Sequence, residues 1–342
     1  MSVFLLLLGA AIAALLTRSF CSPRSPLFIL DHPNPRSLHM TPVPRSGGIA
    51  ILAGWLTSVL AGFTLLYAVG AGASWWVAAV LLVAVVSFAD DRFGVAARYR
   101  FLVHLGAAGM LVVGGLSVRT LVLPGMNIAL AALPDILLTL IFVVWMVNLY
   151  NFMDGMDGFA AGMAIFGFTT FGVLGLLSDH PSYAFVNLAV AAAVAGFLPF
   201  NFPPARIFMG DTGASTLGLL AAASMLWAGR HGVFPLWLGL LVFSPFVVDA
   251  SVTLLRRALQ GERLWEAHRS HYYQRLVQLG WGHRRTVSWE YALMGAASLS
   301  ALLAFTSRTA IQWLVLAVWM ALYSGLAISV QRLAGKPIPP GS

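Results

Sequence analysis

Charge is what this chain has least of. Of its 342 residues only 9% are Asp, Glu, Lys or Arg, while 59% are hydrophobic. A soluble domain carries roughly 25% charged residues, so this supply cannot cover a water-facing surface of such a length. A soluble enzyme, a nucleic-acid-binding protein and a disordered chain are therefore set aside, although the net charge is +8. Cysteine is reduced to Cys21 alone, which rules out an internal disulfide and a thiolate metal cluster. Lysine is reduced to Lys336, so 19 arginines make up the rest of the basic set. In so apolar a chain that basic excess marks the cytoplasmic side of a membrane protein rather than a polyanionic partner.

What the chain has in plenty is apolar runs of bilayer-crossing length. Eleven are read: 2–17, 47–68, 73–89, 101–118, 133–150, 159–177, 183–200, 212–229, 232–255, 287–305 and 309–330. The first has no basic stretch before it, and Arg18 and Arg24 follow it. It reads as an uncleaved span with its N-terminus outside, not as a signal peptide. With that orientation the inside loops hold 17 of the 20 basic residues, leaving Arg119, Arg230 and Arg308 outside. The bias follows the positive-inside rule. The expectation is an all-α polytopic membrane protein of about eleven helices, one domain over 1–342, with a cytoplasmic C-terminus.

The acids cluster on the same side. Asp90 and Asp91 end the third span, where the helix dipole disfavours negative charge by roughly 0.3–1 kcal/mol each. They are either a solvated helix end balanced by Arg92 or a carboxylate pair that holds a cation or takes a proton. The fifth span ends in Asn148, Asn151, Asp154 and Asp157, spaced three apart. A helix puts the two Asn on one face, and the two Asp-Gly pairs then supply a turn. Asp211, before the eighth span, is either an N-cap or part of a phosphate-binding helix start, where Gly210 and Gly213 permit close backbone approach. The longest inside loop joins seven Arg to His268, His271 and His283. It reads as an interfacial amphipathic segment, an Arg/His cap over phosphates, or both. The first inside loop is basic and Pro-rich, so its order is expected from stiffness rather than packing. Carboxylates on several loops beside Arg and His, with no thiolate, suggest a hard-metal phosphate site. An ion- or proton-coupled transporter is the alternative, though it places ionisable groups nearer mid-membrane. A CDP-alcohol phosphotransferase is not supported, because Asp154-Gly155 is not followed by that family's A-R pair.

These motifs, in order, resemble the polyprenyl-phosphate N-acetylhexosamine-1-phosphate transferase superfamily (glycosyltransferase family 4). Asp31, Pro33, Asn34, Arg36, His39, Pro42, Pro44, Arg45, Gly47 and Gly48 match the D-x-P-N-x-R-x-x-H-x-x-P-x-P-R-x-G-G stretch of the branch that starts O-antigen, enterobacterial common antigen and teichoic acid linkage units. The T-P-T-M-G-G signature of the peptidoglycan phospho-muramoyl-pentapeptide transferase is missing. In the late loop Arg269 and His271 fit the D-R-x-H-x-H-H pattern, while His268, Tyr273 and Gln274 depart from it. That variation resembles the O-antigen-initiating subgroup acting on N-acetylfucosamine, N-acetylquinovosamine or related amino sugars.

The resemblance implies transfer of an N-acetylhexosamine-1-phosphate from a UDP-sugar to undecaprenyl phosphate, with release of UMP. It implies a bacterial inner-membrane enzyme whose active site faces the cytoplasm, with a monomer or a homodimer left open. Mg2+, with Mn2+ as substitute, is the implied cofactor. Asp211 would be the main metal ligand, with Asn151 a second donor. Asp90 would accept a proton or act as nucleophile, and Asp91 would support it or approach the metal. Asn148, Asp154 and Asp157 would position nucleotide and sugar, Arg269 and His271 would hold the diphosphate with Asp249 behind them, and Arg45 would bind substrate.

Overall fold

The computed structural model describes residues 1–33, 38–67, 72–262 and 269–334; Asn34, Arg36, His268 and Lys336 lie outside the described residues. Each expected span overlaps a helix. These are α1 (Ser2–Phe20), α2 (Gly47–Leu65), α3 (Ala73–Phe93), α4 (Ala97–Val113), α5 (Ala132–Phe152), α6 (Phe159–Leu177), α7 (Pro181–Asn201), α8 (Gly210–His231), the pair α9 (Leu236–Val242) and α10 (Ser244–Leu259), α12 (Gly282–Phe305) and α13 (Thr309–Ala334). A short α11 (Tyr272–Leu276) lies in the late loop. Among the described residues eight helices are long and apolar enough to cross a membrane, or nine if α9 and α10 make one broken span. The protein is a helical integral membrane protein.

α8 sits at the centre of the bundle, packed against α2, α3, α5 and α6. Ala, Gly, Ser and Thr fill much of its length, and nearly every residue from Thr212 to Leu226 is buried. Small side chains let helices approach closely where lipid gives no hydrophobic push between them. A helix surrounded by protein also needs less apolarity than one facing lipid, which explains why α8 is not among the eight.

Three expectations are corrected. The fourth helix starts at Ala97 and ends before Gly114, four residues ahead of the expected span. Only 94–96 separate it from α3, so Arg98 and Arg100 lie in its first turn and not in a loop. The ninth span is broken, with α9 and α10 bent by 85°. Pro245 stands in the first turn of α10, where its missing N–H is tolerated but its ring resists continuation of a preceding helix. The first inside loop is ordered by backbone pairing and not only by stiffness. Strand β1 (Leu30–Asp31) pairs antiparallel with β2 (Val43–Pro44). Beyond β2, Phe208 N–H donates to Pro44 O (2.7 Å), Gly47 N–H to Phe208 O (3.0 Å) and Gly48 N–H to Met209 O (2.8 Å). A second antiparallel hairpin, β3 (Thr120–Leu123) with β4 (Met126–Ala129), lies at the opposite end of the bundle.

Candidate active site

At the end of the bundle where α3, α5 and α7 finish and α2, α6 and α8 begin, a cleft of about 220 Å3 opens. Asp31, Arg45, Asp91, Asn151, Asp154, Asp157, Asp211 and His283 are among its lining residues. Five carboxylates thus share one cleft with one arginine and two histidines, the second being His39.

The two readings of Asp211 are separated by its neighbour. Asp91 Oδ1 accepts the Asp211 N–H (2.9 Å), and Asp91 Oδ2 accepts both the Thr212 N–H (2.9 Å) and the Thr212 hydroxyl (2.6 Å). Asp91 is therefore the cap of α8, supplied from α3, and its negative charge meets the positive end of the α8 dipole. Asp211 is not the cap, so its carboxylate is left for the cleft. Gly210, at φ +66°, is needed for this closure. A Cβ there would meet Arg45 O and would lie 2.8 Å from the Asp91 carboxylate. The close approach expected for a phosphate at this helix start is filled by Asp91 instead. Helix geometry explains the division of labour between two adjacent acids. Successive side chains point about 100° apart, so Asp91 faces α8 while Asp90 turns to the α3–α4 corner. There Asp90 Oδ1 accepts the Val95 N–H (2.6 Å) and Oδ2 accepts from Arg100 (2.5 Å).

Asp154 and Asp157 lie on the turn after α5. Gly158, at φ +72°, turns the chain into α6, and side chains from three helices hold it. Asn201 Oδ1 accepts the Gly158 N–H (3.0 Å), Tyr291 donates to Gly158 O (2.6 Å), and Tyr150 donates to Ala160 O (2.7 Å). Asp157 accepts the Ala205 N–H (3.0 Å) and pairs with His283 Nδ1 (3.1 Å), tying α12 to the rim. Burial, then the Asp211, Asp91, Asp157 and Asp31 carboxylates, push the Asp154 carboxyl well above the ordinary carboxylate range. No hydrogen bond among the described residues offsets that push. An over-acidic cleft of this kind suits a divalent cation. Among the described residues no three His, Cys, Asp or Glu groups stand close enough to cage one. Magnesium commonly takes only one or two protein carboxylates and completes its shell with substrate phosphate and water, so the donor set fits.

Not every expected residue reaches the cleft. Asn148 sits one turn deeper on α5, donating to Val144 O (2.7 Å) and lying 3.5 Å from His104 Nδ1. Arg269 and His271 are not among the lining residues. His271 is buried and its Nδ1 lies 3.2 Å from Asp249 Oδ1. Asp249 also accepts the N–H groups of Tyr272 (3.0 Å) and Tyr273 (3.1 Å). Its carboxylate thus fastens the late loop to α10. Sequence reasoning missed Arg100, whose Nη1 donates to Asp90 Oδ2 and also to Asp211 Oδ2 (2.8 Å). The available signal was Arg100 and His104, four apart at the head of an otherwise apolar helix.

The chain is similar to known proteins over most of its length. Residues 73–229, which run from α3 to α8, match the glycosyl transferase family 4 model. A probable undecaprenyl-phosphate N-acetylglucosaminyl 1-phosphate transferase of Bacillus subtilis is 31% identical over 84% of this chain and 79% of its own length. A decaprenyl-phosphate N-acetylglucosaminephosphotransferase of Mycobacterium tuberculosis is 33% identical over 81% and 76%. A phospho-N-acetylmuramoyl-pentapeptide-transferase of Listeria welshimeri is 33% identical, but over only 47% and 49%. With similarity of that extent, the chain belongs to glycosyl transferase family 4, the polyprenyl-phosphate N-acetylhexosamine-1-phosphate transferases.

Proposed function

We propose that the protein transfers N-acetylhexosamine-1-phosphate from a UDP-sugar to undecaprenyl phosphate, at the cytoplasmic face of a bacterial inner membrane, as the first step of O-antigen or a related envelope polysaccharide. The observation that carries this reading is the cleft itself. Five carboxylates gather in the cleft at the bundle end, while Phe93, Tyr99 and Phe101 stand exposed on the adjacent α3 and α4. A polar donor arriving from water and a lipid phosphate arriving from the bilayer meet there. The reading includes eleven crossings with the N-terminus outside, which places the cleft on the Arg-rich side. The late-loop motif supports an N-acetylfucosamine or N-acetylquinovosamine type of donor, and the relatives' activity supports an N-acetylglucosamine type.

In the reaction an oxygen of the lipid phosphate attacks the sugar-linked phosphorus of the donor. The bond from that phosphorus to the bridging oxygen breaks, and UMP leaves. The barrier is chiefly one of aligning two anions and stabilising the charge that develops. Asp211, with Asn151 beside it, would hold Mg2+, which neutralises phosphate charge when bound. Arg45 and His283, both lining the cleft, orient the phosphates and the nucleotide. Asp154 and Asp157 fix the rim against α6 and α12, and Asp90 takes the proton from the lipid phosphate. The transporter reading loses its mid-membrane group, because Asp249 is committed to the late loop.

The test is UMP release by purified protein given undecaprenyl phosphate, Mg2+ and a panel of UDP-N-acetylhexosamines. Release that needs both lipid and metal is expected, and the fastest donor names the sugar. No release from any donor by folded protein would reject the assignment.

A further inference from the structure

One nitrogen atom bridges Asp211, which lines the cleft, and Asp90, the proposed proton acceptor just outside its lining. Arg100 Nη1 donates to Asp90 on α3 and to Asp211 on α8, while Arg100 itself stands in the first turn of α4. A permanent structural arginine usually sets its planar fork against one carboxylate through two parallel bonds. Here a single nitrogen serves both acids. Among the described residues the buried Arg100 Nε has no hydrogen-bond partner, and leaving such a donor unmatched is costly. The side chains of Arg100 and Asp211 are 32% and 29% exposed, against 12% for Asp90, so the Asp211 side of the bridge is the more open one. This is the pose of a counter-cation standing in a shared site.

We propose that Arg100 holds the place of the divalent cation: it clamps Asp90 and Asp211 in the metal-free enzyme and releases Asp211 when the ion binds. The inference rests on the metal-dependent transferase reading and adds to it a competition between one residue and the cofactor. Released from Asp211, the guanidinium is free to bind a substrate phosphate oxygen. Arg100 thereby stops the acids from repelling one another before substrate arrives.

The competition is read directly as Mn2+ affinity of the substrate-free protein in detergent, by electron paramagnetic resonance. Arg100→Gln removes the competitor and should tighten Mn2+ binding about tenfold, the equivalent of one charge-assisted hydrogen bond. It should also slow UMP release, because the phosphate partner is lost. Arg100→Lys keeps a charge but has shorter reach and no fork, and should bind Mn2+ with intermediate affinity. It also serves as the second variant should Arg100→Gln fail to fold. Unchanged or weaker Mn2+ binding in folded variants, beside normal binding by the wild type, overturns the proposal and leaves the transferase reading standing. Absence of Mn2+ binding in the wild type, with and without UMP, overturns the metal-dependent reading and this proposal together.

Discussion

Asp91 commits both carboxylate oxygens to the first turn of α8, whereas Asp211 commits none of its own to that turn. Their substitutions should therefore separate stability from chemistry. Asp91→Ala leaves two backbone N–H groups and a hydroxyl without an acceptor, and should cost about 2 kcal/mol or more. Asp211→Ala should leave the unfolding temperature in detergent close to that of the wild type while abolishing metal-dependent UMP release. A large loss of stability in Asp211→Ala would return that residue to a capping role. Asp154 makes a second prediction through pH. Its carboxyl is raised in the folded protein, so the folded state keeps a proton that the unfolded state loses near pH 4. That contribution is fully present below about pH 4 and is lost as pH rises towards the raised folded value. Metal-free Asp154→Asn should accordingly lose less stability than wild type between about pH 5 and pH 8, even as turnover falls. Parallel melting curves across that range would show that Asp154 is not held protonated.

At the scale of elements, much of the arrangement was legible beforehand. Apolar runs of crossing length revealed the helices, and Asp154 and Asp211 stood out because acids are scarce in such a chain. What stayed hidden depends on direction in space. Adjacent Asp90 and Asp91 look equivalent in sequence, and only the helical rotation between them sends one to α8 and the other to α4. Arg100 was hidden because residues 90–100 read as a loop, although α4 already begins at Ala97. His271 was expected on the phosphates, yet the pull of Asp249 fastens it to α10. The paired glycines of the first motif gain a plain explanation. A Cβ on Gly48 would lie 2.6 Å from Met209 O and closer still to the Gly213 backbone. Since neither neighbour is a flexible side chain, Gly48→Ala should cost about 1–3 kcal/mol by overpacking. Turnover should fall with stability, because the displaced element carries Asp211. A Gly48→Ala protein with an unchanged melting temperature would show that α2 and α8 separate without penalty.

For the whole molecule, the charge bias makes a prediction about sidedness. In a background with Cys21→Ser, a cysteine at Asn127 on the β3–β4 hairpin should react with a membrane-impermeant maleimide in intact spheroplasts. A cysteine at Arg284, near the start of α12, should react only after permeabilisation. The reverse pattern would invert the proposed orientation and put the cleft on the wrong side for a cytoplasmic nucleotide. The bundle is also unevenly enclosed. Protein buries 67% of the apolar stretches of α6 and α7 but only 11% of that of α13. α13 is fastened by a few polar contacts: Trp313 to Pro124 O (3.1 Å), Tyr323 to Ser244 (2.6 Å) and Gln331 to the Tyr272 hydroxyl (3.2 Å). A helix so placed takes up hydrophobic mismatch by tilting. The cleft thus joins well-enclosed α6 and α7 to α3 and α5, whose apolar stretches are only 39% and 28% buried, while α13, the helix most open to lipid, touches the late loop through Gln331 and Tyr272.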